Sequence, residues 1–424
     1  MFTSFSTALS ALSATTTAID VVGNNLANLN TPGFKTSTVS FHDLVTQSLG
    51  AGLGETQVGF GVGPPVTLRQ FSQGAIQTTG GPLDAAIQGD GFFIVTAQNG
   101  AQEYTRGGNL QVDDAGDLMT STGEKLQGWT LDSTGKLNLN APISNITVPV
   151  GTLNPPQKTQ SFSFDLNLDA SAVAGSAAGT FSTSMTVYDS LGTQHVVTAT
   201  FTKDPATTGK WNYSLTVPGT DFTSGTFKAV TGSVQFDANG KLTPAVPPAN
   251  YKPPQVTLTG LKDGAATQTI TWNLYDPKTT PSTPRLTQFA QPSAVAANAQ
   301  DGQPAAQLVK VGLSDGGQIL AQYSNGQQLV VGQLAMATIR NPESLIAAGN
   351  NNYQLSARTA LPAIGTPGTG GRGTVIGGAV EASTVDIAQE FTNLIVCQRG
   401  YEANAKVVTT VDQLSQDTIN LKQS

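Results

Sequence analysis

Hydrophobic side chains recur along this chain with two different periods. From Phe2 onward they fall at Phe5, Leu9, Leu12, Ile19, Val22, Leu26 and Leu29, the three-four alternation that marks one face of a helix. Within that stripe Phe5, Leu12, Ile19 and Leu26 are seven apart, the spacing of a coiled-coil seam. At the other end Ile387, Phe391, Leu394, Tyr401, Val408, Val411, Leu414 and Leu421 repeat the pattern, with the frame slipping near Val407 and Val408. A second amphipathic helix therefore closes the chain. Glu381, Ser383 and Asp386 lie near its start, where a cap and negative charge suit the helix dipole, and Lys422 lies near its end.

Between the ends the period is two. Phe162, Phe164, Leu166 and Leu168 alternate with polar residues, as do Trp211, Tyr213, Leu215 and Val217, and again Ile270, Trp272 and Leu274. Such runs predict half-buried strands. Turn pairs punctuate them: Asp-Ala-Gly at 114–116, Thr-Gly at 134–135, Leu-Gly at 191–192, Asn-Gly at 239–240, Asp-Gly at 315–316 and Asn-Gly at 325–326. The fold class expected is α+β, with discontinuous terminal helices forming a coiled-coil layer and two mainly antiparallel β domains, sandwich-like or barrel-like, in the middle.

Proline and glycine seams at Pro64 and Pro65, Pro155 and Pro156, Pro281 and Pro284, and 362–373 mark candidate boundaries. They suggest an N-terminal helix over 1–34, a Gly-rich linker over 35–74, and a first β domain from 75–148 plus 291–360. An inserted β domain then spans 149–290, a returning linker 361–380, and a C-terminal helix 381–424.

Composition narrows the function. Only 12% of the 424 residues are charged, about half the globular norm, and the net charge is −7. Phosphate-backbone binding needs clustered Lys and Arg, so nucleic acid is an unlikely partner. A single cysteine, Cys397, allows no internal disulfide. No apolar run approaches the eighteen or so residues of a bilayer span, and the first basic residue is Lys35, so the start lacks the look of a cleaved leader. The Ser- and Thr-rich stretch 13–17 is a poor helix former on its own. Either the two ends pair with each other on a β body, or they pair and also pack against other copies, which builds an open helical array.

Chemical motifs are weak. Gly368, Gly370 and Gly373 satisfy G-x-G-x-x-G but follow a Pro-rich segment, not a strand. Lys136, Lys210 and Lys241 each follow Gly without the remainder of a phosphate loop. His42 and His195 are far apart, with no cluster of cysteines or carboxylates to join them in sequence. Cys397 reads as helix packing, and Asp113 with Asp114 as a solvated turn. No enzyme, cofactor or metal site is expected.

The stretch GNNLANLNTPGFK at 23–35, with Phe41 after it, resembles the N-terminal signature of the axial proteins of the bacterial flagellum, the rod and hook subunits. VEASTVDIAQEFTNLIVCQRGYEANAKVVTTVDQLSQDTINL at 380–421 is similar to their C-terminal signature. TTGGPLDAAIQGDGFFIV and YTRGGNLQVDDAGDLMTSTGEKLQGW look like the block shared by the hook protein and its nearest rod relatives. VGLSDGGQILAQYSNGQQLVVGQLAMA looks like the hook protein, and so does the strand-rich insert between Trp129 and about Gln288, which the distal rod protein lacks.

The resemblance implies a structural subunit that self-assembles into the flagellar hook, a curved, flexible tube that transmits torque from rod to filament; the distal rod subunit is the alternative. It implies export without a cleaved signal through the flagellar export apparatus, an extracellular place in the hook and basal body, and no membrane insertion. Implied partners are further copies of the chain, the distal rod protein, the hook cap protein and the hook-filament junction protein. Assembly is expected through the inner helices: Phe5, Leu9, Leu12, Ile19, Leu26, Asn24, Asn25 and Asn28 on the first, and Ile387, Phe391, Leu394, Tyr401, Asn404, Val408 and Leu414 on the second. Asn24, Asn25, Asn28 and Asn30 either supply neutral hydrogen bonds between copies or simply stop the helix. Pro32, Gly33 and Phe34 are expected to reverse the chain. Gly59, Gly61 and Gly63, with Gly50, Gly52 and Gly54, are expected to make a yielding linker.

Overall fold

The computed structural model describes residues 2–44, 46–49, 56–132, 135–248 and 251–421. Gly50, Gly52, Gly54, Thr134 and Lys422 lie outside the described residues. The chain divides into two units: Met1–Val150 with Lys310–Gln322 and Gln328–Ser424, and Gly151–Val309 with Tyr323–Gln327.

The first unit carries both terminal helices, α1 (Phe2–Ala27) and α2 (Ile387–Leu421), packed against each other. In α1, hydroxyls of the Thr run bond back one turn, Thr15 Oγ1 to the Ala11 carbonyl (2.7 Å) and Thr16 Oγ1 to that of Leu12 (2.9 Å), so these side chains satisfy themselves on the helix. The positions α1 buries are Ala8, Ala14, Ala18, Val22 and Asn25. Small side chains on that face allow a close approach; a Cβ built on Gly400 of α2 would lie 3.7 Å from Thr15 Cγ2. Asp386 caps α2, its Oδ1 accepting from the Ala388 and Gln389 backbone N–H at 2.8 and 3.2 Å. The expectation that no segment is long and apolar enough to cross a bilayer is corrected by Ser4–Ala27, which qualifies on length and composition alone, its Ala, Leu, Ile and Val being set among Ser and Thr with Asp20 as its one charge.

The β part of this unit is an antiparallel sheet. Six successive strands of it run in the order Gln328–Leu334, Lys125–Thr130, Phe92–Thr96, Gln102–Thr105, Asn352–Gln354 and Ile346–Gly349. Phe92, Ile94, Tyr104, Trp129 and Tyr353 fill its core, with Phe71 edge-on to both Phe92 and Tyr353 at 5.5 and 5.2 Å.

Paired strands occur in both Gly-rich legs. Ser37–Ser40 pairs with Val66–Arg69, and the returning segment pairs Thr374–Gly377 with Ala85–Gln88 and Ala379–Glu381 with Ile76–Thr78. Backbone ladders hold both legs because their Gly-rich runs alternate with short β-branched stretches such as Thr374, Val375 and Ile376.

The second unit has two five-stranded sheets. One is a meander of Thr180–Tyr188, Gln194–Lys203, Lys210–Thr216, Val230–Phe236 and Leu242–Thr243. The other places Ser161–Asn167 between Gln268–Trp272 and Leu286–Thr287, with Ala294–Gln300 pairing antiparallel to it. The sheets meet at Trp272, whose ring lies 5.9 Å from Phe201 and 5.1 Å from Tyr213 of the meander. Period-two burial along Phe162, Phe164, Leu166 and Leu168 agrees with the sequence pattern. The unit runs past residue 290, since Ala294–Gln300 belongs to its sheet. Glycines 116, 135, 192, 240, 316 and 326 of the turn pairs all have positive φ.

Candidate assembly surface and the joint beneath it

α1 ends where Asn28 takes over the last turn, donating from Nδ2 to the Asn24 carbonyl (2.9 Å) and accepting from Thr31 Oγ1 (3.1 Å). Pro32 and Gly33 then turn the chain. Gly33 has φ +71°, and a Cβ there would sit 2.6 Å from the Arg106 carbonyl, so both backbone and space require glycine. Its N–H donates to the Glu381 carbonyl at 2.7 Å, and buried Phe34 follows. This places the outgoing leg beside the incoming one.

A buried ionic joint locks the legs together. Lys35 Nζ lies 2.6 Å from Glu381 Oε1 and 2.6 Å from the Ser72 carbonyl. The same Oε1 accepts from the Gly74 N–H (2.7 Å), and Oε2 accepts from Arg106 Nη1 (3.1 Å). Lys35 and Glu381 are fully buried. Burial lowers the Lys35 ammonium below the ordinary lysine value, and the bond to Glu381 partly offsets it.

Asn25 forms a second tie. Its Nδ2 donates to the Ser37 carbonyl (2.8 Å) and to Glu390 Oε1 (3.1 Å), and its Oδ1 accepts from the Ser37 N–H (3.1 Å). At 1% exposure it has no face turned outward. The amide expected to bond another copy is therefore consumed inside the chain, joining α1, the first strand and α2. Asn24 is exposed, and Asn28 is half-buried at the helix end.

Several of the larger apolar residues of the helices, most of those on α2, point away from this interior. Phe5 and Leu9 are 42% and 54% exposed, and Ile387, Phe391, Tyr401 and Leu414 are exposed too. Leu12, Ile19, Leu26, Leu394, Asn404 and Val408 are half-buried at the edges of the helix contact. Of the seven-spaced seam, Phe5 is thus exposed while Leu12, Ile19 and Leu26 are half-buried.

Of the linker glycines, Gly59 is open, with nothing within 4 Å of a built Cβ. Gly61 is not free: φ is +98°, a Cβ would meet Ser10 Oγ at 2.4 Å, and the neighbouring Val62 N–H bonds that oxygen. Gly63 packs on His42.

In the second unit the structure gathers carboxylates that sequence separation hid. His195 is buried, Nε2 3.0 Å from Asp189 Oδ2 and Nδ1 2.9 Å from Asp221 Oδ2, with Asp263 close to Asp189. Burial alone would lower the imidazole's pKa, but the bonds to Asp221 and Asp189 outweigh it and raise the net value. The absence of any carboxylate cluster at the histidines, expected from sequence, is thus corrected: three turns of the unit bring the acids to one ring. Cys397 is half-buried on α2, and burial pushes its thiol up, away from nucleophilic chemistry.

Four family models match successive parts of the chain: "Flagella basal body rod protein" over 5–35, "Flagellar hook protein FlgE/F/G D1 domain" over 86–167, "Flagellar basal body protein FlaE D2 domain" over 167–303, and "Flagellar basal body rod FlgEFG protein C-terminal" over 376–421. The flagellar hook protein FlgE of Treponema pallidum is 35% identical over 96% of this chain and 96% of its own length. The chain belongs to the flagellar hook protein family. Escherichia coli and Salmonella typhimurium members are 32% and 30% identical, each over 99% of this chain and 100% of their own. A Helicobacter pylori hook protein structure, FlgE2, shares the fold at a TM-score of 0.51 with 14% identity, covering 70% of this chain and 98% of that one. These full-length relatives are hook proteins, which favours the hook subunit over the rod alternative. Within the family frame, the terminal models coincide with α1 and its reversal and with α2, and the D2 model coincides with the second unit.

Proposed function

We propose that the chain polymerises through its terminal helices into the curved tube of the flagellar hook, which acts as a flexible joint passing torque from rod to filament. One observation carries this reading: α1 buries alanines within the chain and leaves Phe5 and Leu9 exposed, as α2 leaves Phe391, Tyr401 and Leu414. Exposed apolar stripes on a helix pair are complementary surface for further copies. The reading places the helices as an inner layer of the tube, with the β domains outside it. Export without a cleaved leader, and contact with the distal rod, cap and hook-filament junction proteins at the ends of the tube, complete it.

Concentrated purified protein should form curved tubes visible by electron microscopy. A chain lacking about thirty residues at each end should stay monomeric; curved tubes from that truncated chain would overturn the proposal.

A further inference from the structure

His195 sits on the strand Gln194–Lys203 of the second unit, with Asp221 on its Nδ1 and Asp189 on its Nε2. Local turns aim the acids. Asp189 Oδ1 accepts from the Leu191 and Thr193 N–H at 2.8 and 2.9 Å, which leaves Oδ2 to the ring. Asp263 Oδ1 accepts from the Ala265 N–H at 3.0 Å, and the Lys262 N–H, donating to the Asp221 carbonyl at 2.9 Å, ties that turn to the one bearing Asp221. Asp263 also reaches the Asp189 carboxylate itself. Among the described residues no Lys or Arg pairs with any of the three acids. Three carboxylates against one imidazole, even a protonated one, leave negative charge in excess, and carboxylates in contact need a proton or a cation between them.

The imidazole sets this site apart from a bare acidic patch and narrows the choice of cation. One ligand atom from each of Asp189, His195 and Asp263 lies within 4.8 Å of the other two. The 3.0 Å from Nε2 to Asp189 Oδ2 is close to the edge of about 3.3 Å between two ligands that a tetrahedral ion holds at about 2.0–2.1 Å. Asp221, on the opposite ring nitrogen, stands where an outer carboxylate orients a metal-binding histidine and leaves Nε2 to ligate. One nitrogen and two carboxylates suit Zn²⁺, whereas Mg²⁺ and Ca²⁺ favour all-oxygen shells. Solvent reaches the site from one side, since Asp263 is exposed.

We propose that His195 Nε2, Asp189 Oδ2 and the Asp263 carboxylate bind a zinc ion, with water as the fourth ligand, and that the ion staples the turns at Asp189 and Asp263 to the strand Gln194–Lys203. In metal-free protein a proton takes its place between the ring and Asp189. The proposal is independent of polymer formation.

The test titrates dilute, chelator-treated full-length protein with ZnCl2 by calorimetry and melts it with and without the ion. One zinc should bind per chain and raise the melting temperature, because an ion held by the native state alone stabilises that state, and equal Mg²⁺ or Ca²⁺ should not. Asp221→Asn should weaken zinc binding about 10–100-fold, as loss of an outer carboxylate does. Asp263→Asn changes an exposed side chain, so the fold survives, and should weaken binding at least as much. His42→Gln, which removes the other histidine of the chain, should bind as wild type does. Absence of zinc binding at micromolar concentration, binding unchanged in Asp263→Asn, or binding lost in His42→Gln overturns the site.

Discussion

Lys35 and Glu381 are separated by 346 residues, yet their side chains meet at 2.6 Å with no access to solvent. A buried ion pair contributes little beyond its desolvation when intact, but losing one member strands the other charge. Lys35→Met leaves Glu381 with Arg106 and the Gly74 N–H and removes the donor to the Ser72 carbonyl. Denaturant unfolding should show a loss of about 3–5 kcal/mol. A loss below about 1 kcal/mol would mean that the remaining donors suffice.

Asn25→Ala orphans the Ser37 N–H and carbonyl and leaves Glu390 Oε1 without its donor. At roughly 1–3 kcal/mol per buried orphan, the monomer should lose several kcal/mol. Asn28→Ala removes the half-buried helix-end bonds to Asn24 and from Thr31 and should cost about 1 kcal/mol. Circular dichroism melts of the two variants separate a structural amide from a terminal one. Equal, small effects would return Asn25 to the role of a contact between copies.

The glycines of the outgoing leg are not equivalent. Gly61→Ala forces a side chain into Ser10 Oγ at a left-handed backbone position and should lower stability by about 2 kcal/mol or more. Gly59→Ala meets nothing and should stay within about 0.5 kcal/mol. Bending of the tube is therefore best probed at Gly59, where a stiffened backbone changes curvature without unfolding the subunit; electron micrographs of Gly59→Ala polymer should show straighter tubes, and unchanged curvature removes the leg from the account of bending.

His195 makes stability depend on pH in a definite direction. Its folded pKa stands above the ordinary value of about 6.5, so the native state holds the proton more tightly than the unfolded chain. The stabilisation is complete below about pH 6.5 and disappears as pH climbs through the raised native value. Thermal unfolding of wild type should lose stability relative to His195→Gln between mildly acidic and alkaline buffer. Parallel pH profiles for the two proteins would show that the ring is neutral in its cage.

Local chemistry made part of this structure legible. Period-two runs around Phe162 and Trp211, the turn glycines and the capping Asp386 each act within a few residues, so their roles are written where they stand. Partners such as Glu381 for Lys35, or Asp221 for His195, depend on the closed fold and leave no local trace. The strand Ala294–Gln300 escaped notice because its alanines and mostly exposed positions give no alternating signal. The inward face of α1 left a weaker signal, since it is the small Ala14 and Ala18 that turn inward, while the bulky Phe5 and Leu9, expected at contacts between copies, stay outside. Asn25 belongs to the same lesson: a polar residue within an apolar stripe was the one to be buried.

The carboxylate of Glu381 receives both the first leg, through Lys35, and the β sheet, through Arg106, while its own backbone leads into α2. A pull on either end of the molecule is thus felt at this carboxylate as well as at the Asn25 tie, and neither helix can be dragged from its seat without the other feeling the load.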